Sequence, residues 1–117
     1  MRTIFRVVLC ISIILVGCGC GKRTAGIKDV TKAEVLILRK KPAQGPIHRF
    51  DVTASADLQG VARIQLILNG AVYKEEVLKD RARVQWSSDW YSDEAEIRYI
   101  PLAVSKGSFA LTYDFKD

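Results

Sequence analysis

The sequence predicts an all-β domain, an antiparallel β-sandwich of immunoglobulin-like type, with a small β-barrel as the alternative architecture. Three observations carry that expectation. Apolar and polar residues alternate in several short runs, the period of a half-buried strand. Turn signals rich in Gly, Asn, Asp and Pro separate those runs at roughly ten-residue spacing, as in sandwiches and barrels. Beyond the first twenty residues, no stretch shows the apolar period of an amphipathic helix.

The elements follow in order. Residues 34–38 form a run rich in Leu, Ile and Val, closed by Arg39, Lys40 and Lys41 and then by Pro42, Gly45 and Pro46. Residues 47–56 place Phe50, Val52, Ala54 and Ala56 on one face and Asp51, Thr53 and Ser55 on the other. A turn is expected at residues 57–60. Residues 63–68 then set Ile64, Leu66 and Leu68 against Arg63 and Gln65.

Asn69-Gly70 is the sharpest local signal. Both central positions of a type I′ turn need positive φ, which Asn tolerates and Gly accepts freely, so a tight hairpin to residues 71–78 is expected. A further turn at residues 79–81 leads to a strand over 82–86, with Val84 and Trp86 facing inward. A loop over 87–93 precedes a strand at 95–100, bearing Ala95, Ile97 and Tyr99 on one face and ended by Pro101. After a last turn at 105–107, Phe109, Leu111, Tyr113 and Phe115 alternate along a closing strand. Seven or eight short strands are expected in all. The hairpin and closing strand are broadly similar to immunoglobulin-like domains, and no functionally defined family is recognised in them.

The first residues read differently. Arg2 and Arg6 precede an apolar run over 7–16 interrupted only by Ser12. As a helix this run would span roughly 15 Å, half of a ~30 Å hydrocarbon core, which disfavours a permanent membrane span. A positive segment, a short apolar segment and a small residue before a cut make a secretory signal. The run ends in Leu15-Val16-Gly17-Cys18. This resembles the lipobox of bacterial lipoproteins. The resemblance implies that the Cys18 thiol takes a diacylglyceryl group and that the chain is cut just before it. Cys10 follows bulky Leu9 inside the apolar run, and Cys20 lacks an upstream aliphatic residue, so neither fits as well.

The expected organisation is a signal over 1–17, a lipidated tether over 18–33 and a β-domain over 34–117. One acyl chain binds a membrane only marginally, at about 0.8 kcal/mol per buried CH₂, whereas two or three on one cysteine hold it. The partner implied is therefore a membrane, through lipid on Cys18. Gly19, where an Asp could stand, resembles the outer-membrane-directed pattern of two-membraned bacteria. The resemblance thus places the protein in the cell envelope.

Charge and cysteine content narrow the function classes. The chain carries 18 basic and 13 acidic residues. Loss of Arg2 and Arg6 with the signal lowers its net charge from +5 to +3. The basic residues cluster at 39–41 and at Arg81 and Arg83 without a nucleic-acid recognition motif, so no nucleic-acid partner is expected. With Cys10 removed and Cys18 lipidated, Cys20 is left as the sole free thiol and no internal disulfide is expected.

His48 is the only histidine, without a triad or a multi-ligand zinc set around it. No P-loop, HExxH or nucleophile elbow is present. The expectation is no enzyme and no cofactor, but a binding or structural module whose partner is an envelope protein or a glycan. An enzyme with a dispersed site is the third alternative, for which a deep polar pocket beside His48 would be the sign. The second alternative is a ligand site over residues 86–94, where Trp86, Trp90 and Tyr91 stand among Asp89, Asp93 and Glu94. Aromatic faces can stack on sugar rings while carboxylates bind hydroxyls or Ca²⁺. The bland reading of the same residues is structural: Trp86 fills the core and Trp90 or Tyr91 caps one end.

Overall fold

A computed structural model describes residues 22–117; the expected signal, Cys10, Cys18 and Cys20 lie outside the described residues. The domain is all-β and antiparallel. Its strands are β1 (Arg23–Gly26), β2 (Glu34–Arg39), β3 (Arg49–Leu68), β4 (Ala71–Asp89) and β5 (Glu94–Lys116). The order across the sheet is β1-β5-β3-β4, with β2 also on β5. Thus β5 is flanked on one side by β3 and on the other by β2 along its first third and by β1 near its end. Among the described strands β4 pairs with β3 alone, so the sheet is open and not the closed barrel of the alternative.

Five strands replace the seven or eight expected, because three of the turn signals do not reverse the chain. Residues 57–60, 79–81 and 105–107 lie side by side in register. Asp57 pairs with Arg81 on β4 and with Ser108 on β5, and Leu58 pairs with Gly107. The register slips at this line on both sides of β3. Gly60, Asp80 and Gly107 all have positive φ there, at 137°, 56° and 140°. These residues form one crease across three strands, a row of bulges that bends the sheet where isolated turns would have ended it.

The crease makes the sandwich. Strands of 20, 19 and 23 residues would each run roughly 60 Å or more if straight. Bent at the crease, each strand lays its second half over its first. Tyr99 and Phe109 of β5 bring their ring centroids to 5.0 Å. Tyr73 at the start of β4 lies 6.4 Å from Trp90 just past its end. The two layers are therefore halves of a single sheet.

The alternation read in sequence fills the space between them. Phe50, Val52, Ala54, Ala56, Leu58, Ala62, Ile64 and Leu66 of β3 are all buried, on one face through the whole strand. Ala95, Ile97, Tyr99, Phe109, Leu111 and Phe115 of β5 face them, Leu38, Leu78 and Trp90 join the cluster, and Tyr113 is half-buried against it. Full burial of a large apolar side chain contributes roughly 1.5–3 kcal/mol, so this cluster is the main source of stability. The Asn69-Gly70 hairpin forms as expected, with φ of 53° and 80° and Leu68 paired directly to Ala71.

Three further expectations change. The segment over 18–33 is not a plain tether: from Arg23 it pairs with β5, and Ile27 and Val30 are buried. Its apolar residues are too sparse for a visible period, yet Ala25, Ile27 and Val30 join or pack against the core. Tyr99 Oη donates to the Val30 carbonyl at 2.7 Å and the Ile27 amide donates to Phe109 O at 3.3 Å. Pro101 does not end a strand. It sits in β5 at a register slip opposite Ala62, past the last β2 pair at Tyr99, where its missing N–H leaves no β2 carbonyl unpaired. The loop expected over 87–93 is also shorter, since β4 continues through Asp89.

Candidate functional site

The segment singled out in sequence lies at the end of β4, the four-residue loop after it and the first residue of β5. Its three aromatics separate. Trp86 pairs opposite Val52 and is half-buried at the rim of the core. Trp90 is 3% exposed, stacks at 5.6 Å from Phe50, and donates its indole Nε1–H to the Glu94 carbonyl at 2.9 Å. Its backbone N–H donates to the His48 carbonyl at 3.1 Å. Tyr91 projects outward at 80% exposure. Trp90 therefore caps the core, as the bland reading holds, and Tyr91 alone of the three presents an open ring.

The carboxylates separate too. Asp93 Oδ1 lies 3.6 Å from Lys40 Nζ, and the Asp93 carbonyl accepts from the Lys40 amide at 2.9 Å. The Glu94 carboxylate accepts from the Arg39 guanidinium, and its amide donates to Ser92 Oγ at 3.2 Å. Asp89 is exposed at the strand end. The basic cluster at 39–41 and the acidic pair at 93–94 thus meet across β2 and β5, because Arg39 pairs with Glu94 in register. Among the described residues no group of three or more His, Cys, Asp or Glu side chains is arranged to hold a metal, so the Ca²⁺ version has no ligand set there.

What the fold adds is the hairpin tip. Folding at the crease brings Leu68, Asn69 and Gly70 against the loop, and two shallow depressions open on either side of Trp90. One, of about 370 Å³, is lined by Leu68, Asn69 and residues 89–92. The other, of about 170 Å³, lies between the tip, Ile37, Ser92 and Glu94. Nothing in the local sequence around Asn69-Gly70 signals this meeting. The distance between the two segments in the chain is closed only by the bend. His48 is exposed and serves the corner through its backbone, its amide donating to the Lys116 carbonyl at 2.9 Å.

No protein-family model and no curated protein sequence matches this chain. Solved structures do share its fold. The crystal structure of PirA superposes with a TM-score of 0.50 at 14% identity, covering 86% of this chain and 97% of that one. A chain from Bacillus endospore appendages, described as a novel family of disulfide-linked pili, superposes equally well, at 0.50 and 10% identity, covering 87% and 97%. At these identities the likeness defines the class alone: an antiparallel all-β domain of this size and layering.

Proposed function

We propose that the chain is the precursor of a bacterial envelope lipoprotein whose β-domain acts as a non-catalytic structural or binding module. The observation that carries the non-catalytic part is the state of the singled-out corner. Its indole N–H, the Trp90 and Glu94 amides and two of its three carboxylates are engaged in hydrogen bonds or ion pairs, which leaves a braced corner in place of a reacting constellation. The lipobox-like Leu15-Val16-Gly17-Cys18 supports the anchor, and Gly19 the outer membrane where there are two. The sheet begins at Arg23, five residues beyond Cys18, so at most roughly 17 Å of extended chain would separate the domain from the lipid. Such a domain stands against the bilayer surface.

Intact mass spectrometry of the chain expressed in a bacterium tests the anchor. A mass equal to residues 18–117 plus acylglyceryl groups, lost in Cys18→Ser, is expected. A product cut elsewhere or without lipid overturns the reading.

A second reading has one observation in its favour: the open ring of Tyr91 beside a depression walled by Trp90 suits a sugar ring. Titration with envelope glycans checks it. Tryptophan fluorescence and melting temperature that stay constant through the titration would dismiss a ligand at this corner.

A further inference from the structure

We propose that β4 is a self-association edge, pairing antiparallel with β4 of a second copy of this chain about a two-fold axis at Val77. Three observations point there. β4 ends the sheet, so along its 19 residues one row of backbone N–H and C=O groups faces no described strand. Such an edge is a template for another strand. Of the seven large apolar side chains most exposed among the described residues, Val72, Tyr73 and Val77 fall on the first half of β4, at 48–53% exposure. Residues 71–77, moreover, are almost all exposed on both faces of the strand, although the Tyr73 ring reaches Trp90 across the layers.

The charge order selects the occupant. Around Val77 the chain reads Lys74-Glu75-Glu76-Val77-Leu78-Lys79-Asp80. With Val77 opposite its own copy, Glu75 meets Lys79 and Lys74 meets Asp80, each twice by symmetry, up to the bend at Asp80. Every directly opposed pair of charges up to that bend is of opposite sign. Glu76 opposes Leu78, which is neutral to the charge balance. A slip of one residue in one direction sets Lys74 against Lys79. A slip in the other sets Glu75 against Asp80 and Glu76 against Lys79, a repulsion and an attraction that offset each other. The segment is thus complementary to itself in one antiparallel register and gains nothing from charge in its neighbours. A self-complementary patch is what an isologous dimer requires. The pairing needs no lipid on Cys18 and stands apart from the anchor.

Disulfide trapping in the full chain tests it, expressed in a bacterium with Cys20→Ser so that this thiol adds no bridge. Val77→Cys is expected to give a disulfide-linked dimer, because the two Cβ atoms would lie about 4.5–5.5 Å apart. Val35→Cys, equally exposed at 53% on β2, is expected to give none. Lys79→Glu should weaken the dimer about tenfold by turning two attractive pairs into repulsive ones, and Glu75→Lys with Lys79→Glu should restore it. A Val77→Cys chain that stays monomeric overturns the proposal. So does trapping that matches the Val35→Cys control, that ignores the charge reversals, or that captures a different protein.

Discussion

Tyr99 and Phe109 lie ten residues apart on β5, a separation of roughly 33 Å in a straight strand, yet their ring centroids are 5.0 Å apart. The contact exists because β5 bends over residues 101–107, where its register against β3 slips twice. At Gly60 an added Cβ would fall 1.7 Å from the Ala103 carbonyl oxygen, and at Gly107 2.2 Å from that of Asp57. In each case the obstructing atoms are backbone of the paired strand, which cannot move aside as a side chain could.

Gly60→Ala and Gly107→Ala are therefore expected to destabilise the domain by about 2–4 kcal/mol each, from strain at positive φ and displacement of the neighbouring strand. Gly70→Ala supplies the contrast. Its φ is also positive, but nothing lies within 4 Å of the added Cβ, so a loss of about 1 kcal/mol is expected. Urea unfolding of the three variants checks the ranking, and equal losses at all three would refute the crease.

Tyr99 also ties the N-terminal segment down, through its hydroxyl on the Val30 carbonyl. Tyr99→Phe keeps the ring and removes the bond, leaving that carbonyl without its donor, at a cost of about 1–2 kcal/mol. Faster hydrogen exchange confined to β1 and residues 27–32 is the expected signature. A uniform change across the sheet would mean that the hydroxyl serves the core as a whole.

Trp90 separates packing from hydrogen bonding. Trp90→Phe loses the bond to Glu94 O and part of the ring, and Trp90→Ala opens a cavity under Phe50 and Tyr73 at about 3–5 kcal/mol. Tyr91→Ala, at an exposed ring, is expected to leave stability within about 0.5 kcal/mol. Thermal melts of the three variants give the comparison.

Acid should weaken the fold through three carboxyls held below their ordinary range. Hydrogen bonds from the Thr31 hydroxyl and amide hold Asp29 low. The Gly45 amide, at 2.7 Å, does the same for Asp117. Partial burial pushes Asp51 up, but hydrogen bonds from Ser87 and Arg49 outweigh it and leave it lowered. A carboxyl whose folded pKa lies below its unfolded one contributes stability above the unfolded value and loses it as pH falls through the folded one. The urea midpoint is thus expected to hold from neutrality down to the usual Asp range near pH 4, then to fall. Asp51→Asn should flatten part of that fall. At the alkaline end the signs reverse: burial, with Asp29 nearby, raises Tyr99, so its contribution is kept below the ordinary tyrosine range and lost above it.

Much of the strand content is legible from local chemistry. The alternation from Phe50 through Ala56 and from Ile64 through Leu66 assigns inner and outer faces correctly, because a strand's side-chain period does not depend on its neighbours. Asn69-Gly70 is equally self-contained. The sequence also marks the three bends at 57–60, 79–81 and 105–107, since Gly and Asp tolerate the positive φ found there. What it leaves open is whether such a residue reverses the chain or only creases it. Both outcomes use the same dihedral angles, and the choice falls to the strands alongside. The tertiary structure makes it by setting the three bends in one row, where each stabilises the next. The same row carries the hairpin tip to the corner of Trp90 and Tyr91, and the strand order leaves β4 as one open edge of the sheet. Each of these depends on contacts between residues far apart in the chain, and local propensity holds no record of them.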